Sequence, residues 1–554
     1  MLPRLNAVCD SLNSWLDLTT LKGVRERDIP TLSRCCRIYA TIDRIAAAET
    51  LIREEVVKPQ VESCMVEAEK MDSSRLGEMF NNLLRIIPEH LAELVKLTTD
   101  EKKTVEGSVN GFDFLVNSFW PVVAEKIQQN LEHISSPGNP DEFFKNHQIS
   151  MKFLDDFEMN LTSEESVSNL RSQESYTSFL QSWNLPVYFQ IRFQEIAKSY
   201  ELMLASTELV RSESAECNLK VTEEAKNAIT RCFSPEIFMQ PLAHRFFKLS
   251  LQIISRYQVW ALMCLKLFKD GPEVSQDMKR SETTKDFQKL EITKKKSMKK
   301  SASDQHLSEL DKPTPVLSIS LADLVLIFCD LEHLISAAPG LIMSGLASVL
   351  PETGGLDLSQ AATAGVTALS AVLPQLSDAI SAHIVTGPAK MVKSVVDIPR
   401  MYRRTNREVP SKPCTYITTI VDELKAFLTS QKKSCSLAVL SSWLGNSCDS
   451  ILGLYLVQVQ DVLSNVTKME ESLKKLKKVR ERGGGAAGKD KAAGLSDDDK
   501  IRLQLYLDVM FLLREIGSDE MGSLERVVVR GDNGVKIKEV VEQAVGGFIS
   551  DISV

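Results

Sequence analysis

From Trp183 to Ile196 the chain reads WNLPVYFQIRFQEI, one of its densest apolar runs, and two periods compete for it. Taken in twos, Val187, Phe189, Ile191 and Phe193 alternate with Tyr188, Gln190, Arg192 and Gln194, as in a strand with one buried face. Taken in threes and fours, Phe189, Phe193, Ile196, Tyr200, Met203 and Leu204 fall on one stripe. Asn184 is a good N-cap, and Pro186 sits in a first turn, where its missing N–H costs nothing. No Gly or Pro follows until well past Ile196, and a strand of average length would have ended near Gln194. The pattern predicts a helix.

The helical period recurs along the chain. From Ile29, Leu32, Cys36, Tyr39, Ile42 and Ile45 share a face, with Pro30 and Thr31 where a helix would begin. Between Ser73 and Leu97, Leu76, Phe80, Leu83, Leu84 and Ile87 do the same, and Pro88 predicts a break or kink. SSPGNPDEFF, from Ser135, places turn residues before Asp141 and Glu142, whose charges suit the positive end of a helix. SLADLVLIFCDLEHLI, from Ser320, opens another helical section, and the segment from Tyr455 to Arg482 closes it as a long amphipathic helix. Ser496 caps a further helix with three aspartates in its first turn. The best β candidate, Val527 to Gly534, reads as a hairpin or as a helix end. The expected fold is all-α, built of helical bundles, with no repeat of fixed length.

Two polar stretches divide this pattern. Residues 271–315 are expected to form a disordered basic linker, since they lack a sustained apolar face, and 482–496 a second disordered linker rich in Gly, Ala and Lys. The expected organisation is helical bundles over 1–270, a second helical region over 316–481, and a C-terminal helical segment over 497–554. Residues 335–390 are rich in Ala and Gly, and either a tight bundle or a loose segment fits them.

Composition narrows the function classes. With 554 residues, 43% hydrophobic and 25% charged, the chain is that of a foldable protein too long for one core. A net charge of -8 argues against general nucleic-acid binding. The eleven cysteines show neither metal nor disulfide spacing, which favours a reducing, cytosol-facing compartment. Adjacent Cys35 and Cys36 are poorly placed to bridge each other. The N-terminus MLPRLNAVCDSLNSWLDL carries no signal-peptide pattern. In the apolar stretch 335–385, Pro339, Pro351, Glu352 and Pro374 are expected to interrupt any bilayer-spanning run of ~20 residues, so membrane association is expected to be peripheral.

Catalytic signals are weak. Gly483 to Lys489 satisfies the G-x-x-x-x-G-K part of a phosphate-binding loop, but Asp490 replaces the Ser or Thr that holds magnesium, and a charged segment precedes it. The histidines lie far apart; His244 reads as a partly buried side chain beside a basic face. Gly445 to Asp449 approaches a nucleophile elbow without its second glycine. No catalytic, cofactor-binding or metal-binding residue is nominated. Two basic clusters remain. The lysines of KKKSMKK, from Lys294, suit a solubilising tract or an anionic lipid surface. Arg400, Arg403, Arg404 and Arg407 suit phosphates, acidic partner helices, or helices of their own chain.

NPDEFFKNHQISMKFLDDFE followed by WNLPVYFQIRFQEIA resembles the subunit 2 family of the conserved oligomeric Golgi complex. RIYATIDRIAAAETLI, FDFLVNSFWPVV, HRFFKLSLQIISRY, IPRMYRRTNREVP, KMEESLKKLKK and LSDDDKIRLQL follow in the family's order. The resemblance implies an elongated stack of helical bundles and a non-enzymatic role, without cofactor, in a vesicle-tethering complex. It implies intra-Golgi retrograde transport, Golgi organisation and maintenance of glycosylation enzymes. Implied partners are the other subunits of the complex, and indirectly SNAREs, Rab GTPases and coiled-coil tethers. The implied location is the cytosolic face of the Golgi membrane, held peripherally. The family's N-terminal coiled-coil region is expected to be missing here, because the chain opens almost directly on the helical body. The rival readings are a nucleotide-driven enzyme using Lys489 and a free-standing peripheral membrane protein binding anionic lipid through its basic clusters.

Overall fold

The computed structural model describes residues 2–65, 73–99, 109, 111–161, 163–206, 208–271, 318–350, 358–405, 407–482, 495–518 and 531–546. Among them the regular structure is helical, and the one β-bridge, Arg211 with Leu219, is isolated. The fold is all-α. Two units form, Met1–Ile196 with Cys232–Phe246, and Ala197–Arg231 with Phe247–Val554.

The first unit contains α1 (Leu2–Glu26), α2 (Ile29–Thr41), α3 (Ile45–Ile52), α4 (Lys58–Cys64), α5 (Ser73–Ile86) and α6 (Ala92–Thr99). It continues with α7 (Trp120–Asn130), α8 (Pro140–Glu158), α9 (Glu164–Ser172), α10 (Glu174–Ser182) and the opening turns of α11 (Leu185–Leu204). The period read through Ile45 does not continue as one helix. Asp43 turns left-handed at φ 55, while Arg44 N–H donates to Tyr39 O at 2.8 Å and Asp43 N–H to Ala40 O at 3.2 Å. Those bonds satisfy the last carbonyls of α2, and aspartate tolerates the conformation, so Ile42 ends the helix exposed. The α1–α2 junction repeats the device with Arg27 at φ 56; Asp28 then accepts from Thr31 N–H and caps α2.

Pro88 produces the expected distortion as a π-helical turn, Ile87–Leu91, between α5 and α6. A second such turn, Leu115–Phe119, precedes Pro121. Pro121 has no N–H for the Asn117 carbonyl four residues back, and Arg53 takes that oxygen through Nε at 3.0 Å and Nη2 at 2.5 Å. Nearby, buried Glu49 accepts from Asp113 N–H at 2.8 Å and Asn117 Nδ2 at 3.0 Å. Aromatic packing fills the core, with Phe80 stacked on Phe153 at 4.4 Å and Trp120 against Phe157 at 5.7 Å.

The opening run is helical, as α11, with Asn184 Oδ1 accepting from Val187 N–H at 3.3 Å. Phe193, Ile196, Tyr200 and Leu204 are buried as expected, but Tyr188, Arg192 and Ala197 are buried too. Val187, assigned to the buried face by the strand reading, is exposed.

The second unit comprises the rest of α11, α12 (Lys220–Arg231), α13 (Ala243–Asp270) from Phe247, α14 (Leu321–Val349), α15 (Leu358–Ser370) and α16 (Leu373–Val392). It closes with α17 (Ile398–Tyr402), α18 (Thr415–Gln431), α19 (Leu437–Arg482), α20 (Asp497–Ile516) and α21 (Asp532–Val545). Helix α14 packs on α12, α15 and α16; α19 packs on α16 and α21; α20 packs on α17, α18 and α21. A capping box between Ser320 and Asp323 starts α14, and Ser496 caps α20 by accepting from Asp499 N–H.

Two expectations need correction. Pro339 does not interrupt its apolar stretch but lies inside α14, Pro388 lies inside α16, and Pro374 sits in the first turn of α16. Two stretches, Leu321–Val349 and Leu358–Tyr402, are therefore long and apolar enough by composition to cross a membrane. In α14 half of the apolar window is buried within the unit, and Asp330 in mid-helix is a buried hydrogen-bond acceptor, as in a core helix. Second, the cysteines are not all single: Cys329 of α14 and Cys435, between α18 and α19, form a disulfide across 106 residues of sequence. Cys35 and Cys36 stay buried and free. Of the two readings open for Val527 to Gly534, the described residues take the helix end: Gly531 is the N-cap of α21 and Asp532 to Gly534 form its first turn. Val527 to Arg530, Pro351, the linker residues 272–315 with Lys294, and the Gly483 to Asp490 string with Lys489 lie outside the described residues.

The described part of the Ala/Gly-rich segment is helical and packs along one face. Ala338, Ile342, Ala362, Val366, Leu376 and Ile380 are buried, and a Cβ on Gly365 would come within 2.6 Å of Leu251 Cδ2.

Candidate interaction surfaces

The buried polar groups serve the fold. Asp508 of α20 accepts from Cys414 N–H at 2.7 Å, Gln504 Nε2 at 2.8 Å and Tyr416 O–H at 2.9 Å. Burial pushes its carboxyl above the usual range, against the pull of those donors. Tyr402 O–H donates to Gln504 Oε1 at 2.7 Å, so the same network ties down α17 and the residues after it.

That network fixes the arginine cluster against the acidic start of α20. Arg403 pairs with Asp498 at 3.4 Å, Arg404 N–H donates to Asp497 at 3.3 Å, and Lys500 Nζ donates to Arg407 O at 2.7 Å. Arg400 pairs with Asp397 at 3.1 Å on the surface. Two of the four guanidiniums thus meet carboxylates of their own chain, which weakens the lipid-binding rival.

The histidine reading shifts. His244 is exposed, at the start of α13, whereas His147 of α8 is buried between Phe143 and the edge of Trp183. Burial lowers the His147 pKa from 6.5 to about 4, so the ring is neutral near pH 7. Ser447 of the elbow-like string is buried in α19 and donates to Ser381 O at 3.2 Å. Among the described residues no group of three His, Cys, Asp or Glu is placed to hold a metal ion.

What remains available is surface. In the first unit, Val8, Leu12, Trp15 and Leu18 stand exposed on α1, while Leu16 and Thr20 of the same helix are buried. The sequence carries the signal for this face in the three-and-four spacing of VCDSLNSWLDL. A cleft of about 240 Å³ opens between α7 and α10, lined by Ala124, Ile127, Leu131, Phe179 and Trp183. Among the described residues the buried Trp183 indole N–H finds no hydrogen-bond partner. In the second unit, Met469, Leu473 and Leu476 stand exposed on α19.

Comparison with known proteins agrees with the ordered sequence blocks. The family described as "COG complex component, COG2, C-terminal" matches residues 181–509. Human "Conserved oligomeric Golgi complex subunit 2" is 34% identical over 527 residues, covering 93% of this chain and 69% of that protein. The Drosophila melanogaster protein of the same name is 30% identical over 510 residues, covering 90% of this chain and 65% of its own length. The Arabidopsis thaliana protein of that name is 26% identical over 527 residues, covering 93% and 65%. This chain therefore spans about two thirds of the length of these relatives. The match across most of the chain places it in a family: it belongs to the conserved oligomeric Golgi complex subunit 2 family.

Proposed function

We propose that the chain is a non-catalytic subunit of a Golgi vesicle-tethering complex, acting in intra-Golgi retrograde transport by presenting helix faces to other proteins. The single observation that carries this reading is the match to subunit 2 proteins over 93% of the chain. An all-α body with exposed apolar helix faces supports it, because packed helices hold such faces rigidly for partner helices. The partners in this reading are sister subunits of the complex, and through them SNAREs, Rab GTPases and coiled-coil tethers, at the cytosolic face of the Golgi membrane. The test is affinity purification of the tagged chain from cytosol, alone and extended with the N-terminal coiled-coil region of a relative. Recovery of the other subunits is expected in at least one form; recovery of none in either form overturns the proposal.

A further inference from the structure

Cys329 and Cys435 come from parts of the second unit that are held side by side by other contacts besides their bond. Helix α14, which carries Cys329, and the helices α18 and α19, which bracket Cys435, all pack on α16. Phe328, next to Cys329, meets Trp443 of α19 edge to face at 4.9 Å, and the Trp443 indole N–H donates to Ser377 Oγ of α16 at 2.9 Å. On the other side of Cys329, Asp330 ties α14 to Leu219 N–H at 2.8 Å. The Cα atoms of the two cysteines stand 6.3 Å apart, within the span of a disulfide. None of these packing contacts passes through sulfur. Two thiols left by reduction therefore stay neighbours, and closing again is an intramolecular step at high effective concentration.

The two ends differ in their setting. Cys329 lies inside a helix whose adjoining residues are fixed by the core. Cys435 lies in a turn, residues 432–436, closed by Ser434 N–H and Cys435 N–H donating to Gln431 O at 2.9 Å and 3.1 Å. Both are half-buried, whereas Cys35, Cys36, Cys217, Cys232, Cys264 and Cys448 are buried. A disulfide within reach of solvent exchanges with external thiols, which a sealed one resists. Lys432 and Lys433 are exposed beside Cys435. Ser436, which follows it, opens α19 by accepting from Leu440 N–H at 3.1 Å and Val439 N–H at 3.4 Å. Positive charge and a helix start beside a thiol favour the thiolate, the form that attacks.

We propose that Cys329 and Cys435 form a reversible redox clasp, which ties the α18–α19 turn to α14 when oxidised and frees the turn when reduced, with the helices still packed. A disulfide in a chain that faces the cytosol suits a redox sensor better than a permanent staple. The inference rests on the tethering reading only for that compartment.

The oxidant is a small-molecule disulfide and the reductant a thiol. The Cys435 thiolate attacks one sulfur of the small disulfide, forming a mixed disulfide and expelling the first thiolate, which takes up the proton that Cys435 released. Cys329 then loses its proton and attacks Cys435 Sγ, closing the bond and expelling the second thiolate, which is protonated in turn. The two cysteines lose two electrons and two protons, and the small disulfide gains both. Reduction runs the same steps backwards.

The test titrates the purified full chain in glutathione buffers from reducing to oxidising, traps thiols by alkylation and quantifies the Cys329–Cys435 peptide by mass spectrometry. The bond is expected to open and close reversibly within that series. Amide exchange over residues 432–436 is expected to quicken at least tenfold on reduction, with residues 324–334 unchanged. Cys435→Ser is expected to show the reduced pattern in every buffer, and reduced wild type supplies the same reading should that variant fail to fold. In the reduced chain Cys435 is expected to be alkylated at least tenfold faster than Cys329, and Lys432→Glu with Lys433→Glu is expected to narrow the gap.

A bond that survives the most reducing buffer in the folded chain, or never closes in the most oxidising one, overturns the clasp. So does exchange that quickens throughout α14, α16 and α19, which marks a staple holding the unit together. Faster alkylation of Cys329 overturns Cys435 as the entering thiol. Sister-subunit recovery is scored apart from the titration. A working clasp without recovered subunits removes the tethering reading alone; recovered subunits with a bond that never exchanges remove the clasp alone.

Discussion

The Asp330 carboxylate, 1% exposed in α14, accepts from Leu219 N–H at 2.8 Å and from Asn218 N–H at 2.8 Å. Asn218 Nδ2 adds a third bond at 2.9 Å. A side chain 111 residues away thereby closes the loop that enters α12, where donors ahead of a helix would otherwise face the core unpaired. Asp330→Ala is expected to cost about 3–5 kcal/mol by orphaning these donors, and Asp330→Asn less, because one acceptor oxygen remains. Amide hydrogen exchange over α12 checks it: protection falls sharply in the Ala variant and partly in the Asn variant.

His147 gives the first unit a pH dependence. Its pKa is lowered by burial from 6.5 to about 4, so between those values the unfolded chain binds a proton that the folded chain does not. The stabilisation is complete above the unfolded value and is lost as pH falls toward the folded one. The loss amounts to about 3 kcal/mol at about 1.4 kcal/mol per pKa unit. His147→Phe removes this contribution. Urea unfolding at pH 7.5 and at pH 5 is expected to show a smaller drop for the variant than for the wild type.

Arg192 is buried, and its guanidinium pairs with two carboxylates, Asp141 and Glu195, that are themselves exposed. Burial opposes its charged form, but hydrogen bonds to Asp141, Glu195 and Tyr188 outweigh that and hold its pKa above the usual value. Asp141 is 74% exposed, so loss of the pair leaves it in water, and Tyr188 O–H keeps its bond to Ile237 O at 2.7 Å. Arg192→Met is therefore expected to cost only about 1 kcal/mol, whereas Arg192→Ala leaves a cavity and costs about 2–4 kcal/mol. Urea midpoints for the two variants would show it; equal losses would mean that the charge, and not the volume, matters.

Two glycines of the Ala/Gly-rich segment are expected to respond differently. A Cβ at Gly387 of α16 would meet the exposed carboxylate end of Glu423 at 2.6 Å, which can swing aside. Gly387→Ala is expected to gain roughly 0.5–1 kcal/mol from helix propensity. At Gly365 the new methyl meets Cδ2 of the half-buried Leu251 at 2.6 Å, an apolar side chain with less room to move than the exposed Glu423, so Gly365→Ala is expected to lose part of that gain to repacking. Thermal midpoints of both variants, measured together, test the contrast.

Much of the helical content was legible because its signals are local. The Asn139, Asn184, Ser320 and Ser496 caps each act on N–H groups two or three residues ahead. The stripe through Phe193, Ile196 and Tyr200 needs only the helical period. The break after Ile42 is not legible in the sequence, because Asp43, unlike Gly, does not announce a left-handed turn. The amphipathic character of the segment from Tyr455 was legible too, but not that its seam loses cover after Val466, which depends on how α20 lies against it.

The sequence by itself determined an all-α chain and its family, since period, caps and ordered blocks are written in neighbouring residues. Only the tertiary structure decided that Cys329 meets Cys435, that Arg403 faces Asp498, and that Asp330 and Asp508 are sealed in the interior. These partners lie about a hundred residues apart, and no local pattern specifies them. They are chosen when apolar faces pack and force each buried polar group onto whatever donor or acceptor the neighbouring helix brings within reach.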